Sequence, residues 1–163
     1  MNEQPAGHKN EFVLSKLKLM EERCKKNGLS LTVQRRAILE NLSSRKDHPT
    51  ADQIYAAIQN RVEGVSRTTV YRVLETFVRL GLAQKISNPE AKARFDADIS
   101  KHHHAACIEC EKVIDIDSAI LPDIDLSQAD LQGFQVFDCS VVVVGLCRDC
   151  SIKDGVARSY KFN

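Results

Sequence analysis

The sequence predicts an α+β protein in two parts, a helical first part that closes with a β-hairpin and a smaller second part built on short strands. Three observations carry that prediction. Apolar residues recur at helical spacing in four successive segments up to about residue 80, the pattern that turns one stripe of each helix toward a core. From Leu82 onward the period shortens toward two, as in half-buried strands. Two Cys-x-x-Cys pairs, Cys107 with Cys110 and Cys147 with Cys150, bracket the second part with 36 residues between them.

The helices follow in order. Val13, Leu17, Met20 and Cys24 share one face of the first, and Asn27-Gly28 stops it. Thr32 caps the second, whose apolar face is Ala37, Ile38 and Leu42. Pro49 marks a break, and Thr50 with Gln53 forms a capping box for a third helix presenting Ile54, Tyr55 and Ile58. Ser66 caps a fourth, with Val70, Val73, Leu74, Phe77 and Leu80 on one stripe and Gly81 as its stop. Leu82 to Ile86 and Ala93 to Phe95 are predicted strands joined by a polar turn at Ser87-Asn88-Pro89-Glu90. Compact helices followed by a hairpin outline a winged helix-turn-helix, assigned to residues 1–97. Residues 98–163 are assigned to a small α+β domain with strands at His102–Cys107, Lys112–Asp115 and within Phe134–Leu146. A helix is expected between Asp117 and Leu131, weakened at its start by Pro122.

Composition narrows the function classes. With 163 residues, 43% hydrophobic and 28% charged, the chain is globular in composition and shorter than the about 250 residues of a barrel enzyme. Its longest aliphatic run, Val141 to Leu146, is far below the roughly 20 residues of a membrane span. Met1 to Lys9 lacks the apolar core of an export signal. These features predict a cytoplasmic protein with no membrane partner. The overall charge of +1 conceals a split, with +5 on residues 1–90 and −4 on residues 91–163, which suits an anion-binding module joined to a module of another kind.

In a reducing compartment, paired Cys-x-x-Cys motifs point to a four-thiolate structural zinc, because two intervening residues let both sulfurs of a tight turn reach one tetrahedral ion. A thioredoxin-like redox pair needs its motif at a helix start within a βαβ unit, a setting the sequence predicts for neither pair. Cys24 and Cys139 are read as small buried hydrophobes. In a winged helix the fourth helix enters the major groove of double-stranded DNA, here with Thr68, Tyr71, Arg72, Glu75 and Arg79 on its non-core face. Arg72 can donate twice to guanine, and Tyr71 can pack on a thymine methyl. Ser66 and Thr69 lie at the helix start, and Lys25, Lys26, Arg35, Arg36, Lys85 and Lys92 are candidate phosphate contacts.

A second constellation surrounds His102-His103-His104. On a strand, His102 and His104 project to one face and His103 to the other. Asp96 precedes them, Asp115 follows on the next strand, and His48 lies before the third helix. Five nitrogen and oxygen donors favour Fe2+ or Mn2+ over a closed zinc site.

His48-Pro49-Thr50-Ala51-Asp52-Gln53-Ile54-Tyr55, Ser66-Arg67-Thr68-Thr69-Val70-Tyr71-Arg72-Val73-Leu74, Arg94-Phe95-Asp96, the His102–His104 run and the two Cys-x-x-Cys pairs resemble the ferric uptake regulator family in order and spacing, from about Leu17 to Cys150. The resemblance implies a homodimeric, metal-dependent winged-helix repressor, not an enzyme, with a C-terminal dimerisation domain and a palindromic operator. It places structural zinc on Cys107, Cys110, Cys147 and Cys150, and the regulatory metal on His48, Asp96, His102, His104 and Asp115. Asp115 stands where iron-uptake repressors usually carry glutamate, which resembles the peroxide-responsive members; in these, iron and peroxide oxidise a ligand histidine, here His48 or His102. A third metal site of many iron-uptake repressors falls on Lys101, His103, Pro122 and Cys139, a poor ligand set. Two departures from the family pattern are Glu111, where glycine is usual, and Gln34 to Arg36, in place of a proline-containing helix start. The alternatives are an iron- or zinc-uptake repressor, a DNA-binding protein with zinc but no sensing, and, from another class, a zinc hydrolase.

Overall fold

The computed structural model describes residues 6–87, 92–122, 124–126, 131–136 and 139–153. Two compact units emerge, one ending at Ser100 and the other starting at Lys101.

The first unit opens with α1 (Ala6–Lys26), which begins earlier than the Val13 of the predicted stripe. Its Leu17, Met20 and Cys24 are buried. It ends where Gly28 adopts a φ of 64°, open to a residue without Cβ, and Leu29 N donates to Cys24 O at 2.9 Å. Then α2 (Val33–Ser43) begins at Thr32, whose hydroxyl accepts from Arg35 N. A complete capping box of Thr50 and Gln53 starts α3 (Ala51–Ile58). Ser66 caps α4 (Arg67–Arg79), which buries Val70, Val73, Leu74 and Phe77. Leu82 N closes its end on Phe77 O at 2.8 Å, past Gly81 at φ 64°. Ile38, Leu39, Leu42, Ile54, Ile58, Phe77, Leu82 and Phe95 fill the shared core, each contributing about 1.5–3 kcal/mol of burial.

The antiparallel hairpin of β1 (Gln84–Ile86) and β2 (Arg94–Asp96) pairs Lys85 with Phe95 and Gln84 with Asp96. The first strand is shorter than predicted and the second is shifted by one residue, and of the predicted connecting turn only Ser87 lies within the described residues. Helices followed by this hairpin make the first unit the expected winged helix.

The second unit is a three-stranded sheet ordered β4-β3-β5. Central β3 (His103–Cys107) pairs antiparallel with β4 (Val113–Ile116) and parallel with β5 (Val142–Gly145). Two expectations are corrected here. No helix occurs among the described residues of 117–131, because Asp117 organises a turn instead: its backbone oxygen accepts from Ile120 N and Leu121 N, its side chain accepts from Ala119 N, and Pro122 follows. Among the described residues of the apolar stretch from Phe134, the strand is confined to Val142–Gly145. A short unpredicted helix, α5 (Arg148–Lys153), follows β5.

Candidate metal centres and nucleic-acid interface

The turn between β3 and β4 is built around Cys107. Its nitrogen donates to Lys112 O at 2.8 Å, and its carbonyl accepts from Glu111 N at 2.9 Å. Glu111 takes a φ of 59°, so the residue standing where the family usually has glycine also holds glycine's conformation. The second pair arrives from β5: Ile108 N donates to Gly145 O at 2.9 Å, and Cys147 N donates to Cys107 Sγ at 3.3 Å. Cys147-x-x-Cys150 does open a helix, since Cys150 lies in α5, but no strand follows α5 among the described residues to complete a βαβ unit. Its sulfurs nevertheless converge with those of the first pair, all four within 4.8 Å of one another. Cys110 Sγ and Cys147 Sγ are 3.7 Å apart. Tetrahedral zinc with bonds of about 2.3 Å spaces its sulfurs by about 3.8 Å, so the cluster fits that ion.

Electrostatics agree with the fit. Burial opposes a Cys107 thiolate, but backbone N–H groups of Cys110, Cys147 and Glu109 donate to the sulfur and bring its pKa down to about 6. Cys150 is pushed the other way by the neighbouring Cys147 thiol and by burial. Four sulfurs this close cannot all ionise without a cation among them. Cys24 is fully buried as predicted, whereas Cys139 is only partly so.

Within the same unit, His104 and Asp115 are direct cross-strand partners and therefore share a face. His102 stands two residues back on that face, with its ring 4.5 Å from that of His104. Asp115 Oδ1 lies 3.4 Å from His102 Nε2 and 3.7 Å from His104 Nε2. Bonds of about 2.1 Å place adjacent donors of a six-coordinate ion about 3.0 Å apart, so small side-chain shifts bring the three onto one ion. Two imidazoles and a carboxylate suit borderline Fe2+ or Mn2+. His103 takes the opposite face and is 1% exposed. Val141 N donates to its Nδ1 at 3.2 Å, leaving Nε2 to donate to Pro122 O at 3.3 Å. His103 and Pro122 thus meet as the third-site comparison implies, but in a hydrogen-bonded clasp.

His48 and Asp96 come together within the first unit. Arg94, itself buried, donates through Nη1 to His48 O at 2.9 Å, and Phe95 N donates to Pro49 O at 3.0 Å. These bonds tie the His48 loop to the strand that carries Asp96, leaving His48 Nε2 3.5 Å from Asp96 Oδ2. His48 is 3% exposed with a φ of 48°, a conformation that costs a residue other than glycine about 1–3 kcal/mol and clusters at functional sites. Asp98 N and Gln84 Nε2 also contact the Asp96 carboxylate. Lys16, which the sequence reading did not single out, is buried nearby; burial lowers its pKa while Asp98 and Asp96 raise it.

The exposed face of α4 borders an open cleft of about 820 Å³ whose lining includes Arg35, Thr69, Tyr71, Arg72, Glu75 and Arg79. Thr68 and Arg72 are exposed. Ser66 and Thr69 are engaged at the cap, with Thr69 N donating to Ser66 Oγ at 3.1 Å and the two hydroxyls 2.9 Å apart. Arg35 donates to Ser30 O, and Lys85 Nζ pairs with Glu75 Oε1 at 2.7 Å.

Residues 26–144 match the ferric uptake regulator family. The chain is 37% identical over 138 residues to the peroxide operon regulator of Bacillus subtilis, covering 85% of this chain and 95% of the relative. The solved ferric uptake regulator of Helicobacter pylori, 22% identical, shares the fold with a TM-score of 0.69 over 85% of this chain and 93% of that one. That of Pseudomonas aeruginosa with manganese is 30% identical, with a TM-score of 0.59 over 78% and 97%. Because the sequence similarity runs through both units rather than stopping at either, this chain belongs to the ferric uptake regulator family.

Proposed function

We propose that this protein is a homodimeric, metal-dependent transcriptional repressor that binds a palindromic operator in the cytoplasm and releases it in response to hydrogen peroxide. Members of the family are transcriptional regulators, and the 37% identity to a peroxide operon regulator supports the peroxide reading. The observation that carries it is the convergence of His102 and His104 on Asp115, an all nitrogen and oxygen donor set distinct from the four thiolates.

In this reading Cys107, Cys110, Cys147 and Cys150 hold structural zinc. His48 and Asp96 join His102, His104 and Asp115 in holding Fe2+ or Mn2+, so that metal binding favours one orientation of the two units, the one competent for DNA. Tyr71 and Arg72 read bases while Thr68, Thr69, Arg35 and Lys85 meet the backbone. When bound, ferrous iron would promote cleavage of the peroxide O–O bond beside the imidazoles; overall the ring of His48 or His102 would give up two electrons and take one peroxide oxygen, the other leaving as water. The chain's part is to hold those rings against the carboxylates and to lose that grip once a ring is oxidised. Asp115, a short carboxylate at the exposed edge of the set, leaves that approach open.

The test is operator binding by iron-loaded and manganese-loaded protein, before and after peroxide, with peptide mass analysis. A gain of one oxygen, about 16 Da, is expected on the His48 or His102 peptide with iron and not with manganese, and DNA binding falls in parallel. Zinc loss with both histidines intact would replace this mechanism by a thiol switch. The 30% identity to the Pseudomonas aeruginosa ferric uptake regulator sustains a second reading, iron sufficiency, for which operator binding follows iron and survives peroxide.

A further inference from the structure

On the reading that α4 enters DNA, we infer that Asp52 and Glu75 set the selectivity of this protein for its operator by holding cations of the wing and the recognition helix away from phosphate. Glu75 lies on α4 with Arg72 and Arg79 in the lining of the same cleft, and its carboxylate receives Lys85 Nζ of β1 at 2.7 Å. Asp52 lies in the first turn of α3 and receives Lys92 Nζ, from the far end of the hairpin, at 2.6 Å. Arg67 Nη1 is 3.9 Å from Asp52 Oδ1. Two carboxylates thereby engage Lys85, Lys92 and, at a longer distance, Arg67.

A carboxylate on such a face is an anion directed at an anion. Exposed ion pairs are weak, so a closely seated phosphate can take Lys85 or Lys92 from its partner, whereas a loosely placed one leaves the pair intact. The carboxylate stays behind and repels the same backbone. A duplex held by phosphate contacts alone has nothing to offset that repulsion. A duplex whose bases are read by Tyr71 and Arg72 gains roughly fivefold to a hundredfold in affinity for each well-paired base, and Glu75 can itself accept from a cytosine amino group there. The two acidic residues therefore penalise loose binding more than seated binding, and selectivity arises as the difference.

The experiment uses full-length protein loaded with zinc and manganese, titrated against two duplexes over a range of salt. One duplex is a palindrome recovered by in vitro selection with the wild type, and the other is a scrambled sequence of equal composition. Glu75→Gln and Asp52→Asn remove charge while keeping shape, and melting curves verify the fold. Each variant is expected to bind the scrambled duplex about fivefold more tightly, and the palindrome less than twofold more tightly. The dependence of log K on log salt steepens by about 0.9 for each lysine freed to meet a phosphate. Adding Lys85→Ala to Glu75→Gln abolishes the extra slope if Glu75 acts by occupying Lys85. Unchanged slopes and an unchanged affinity ratio in both variants overturn the inference. Wild-type protein that fails to distinguish the duplexes overturns the DNA-reading function itself, whereas a discriminating wild type with unmoved variants removes only the role of the two carboxylates.

Discussion

Glu111 follows the first cysteine pair with a φ of 59°, a conformation that costs an L-residue with a Cβ about 1–2 kcal/mol. Glycine enters it freely but also gains freedom in the unfolded chain. Glu111→Gly is therefore expected to stabilise the zinc-loaded protein by a net of about 0.5–1 kcal/mol, read as a raised thermal midpoint. No change, or a fall, would mean that the Glu111 side chain makes an offsetting contribution. His48 shares the strained conformation, but there the neighbours account for it. Arg94 holds the carbonyl of His48, Phe95 N holds that of Pro49, and Asp96 faces the imidazole. The backbone orients a side chain toward a site, whereas at Glu111 it serves the turn alone.

At the level of elements, caps decide where the helices begin. Ser66 Oγ accepts from Thr69 N at the start of α4, so Ser66→Ala is expected to lower stability by about 1 kcal/mol. Ser66→Asp preserves the cap but adds a negative charge at the end of the helix proposed to enter DNA. That variant should melt like the wild type and bind operator more weakly; equal weakening by Ala and Asp would assign the effect to the helix end rather than to charge. Caps, stops and stripes are local in sequence, which is why all four helices of the first unit could be read from the residues together with Thr32, Thr50, Ser66 and Gly81. The same holds for the two cysteine pairs and for the cross-strand meeting of His104 with Asp115, a consequence of hairpin register. What escaped the sequence depends on distant partners or on too few residues. The six residues of α5 carry no period. Asp117 redirected a segment whose composition resembles a helix. The pairing of Lys92 with Asp52 spans 40 residues, and nothing in either neighbourhood announces it.

For the molecule as a whole, zinc and self-association supply what a small second unit lacks. Val143 and Val144 on the edge strand β5, and Ile114 on β4, remain exposed, leaving apolar strand surface of the kind a second copy covers. Removing zinc with a strong chelator, or replacing Cys147 by Ser, is expected to unfold this unit and leave the protein monomeric by sedimentation while the helical signal of the first unit persists. A zinc-free dimer would refute that dependence. The parallel pairing of β3 with β5, described above as topology, also has a kinetic consequence. Joining Ala105 to Val143 closes a loop of 38 residues, at an entropic cost on the order of 3 kcal/mol, before any second contact rewards the closure. The helices of the first unit, whose own hydrogen bonds and caps are local, can form without such a closure. An ion caught between the two cysteine pairs brings the same strand ends together and acts as a temporary crosslink for a search that the chain otherwise makes alone. Stopped-flow refolding should therefore show a fast helical phase indifferent to metal and a slower phase whose rate rises with zinc concentration until binding saturates.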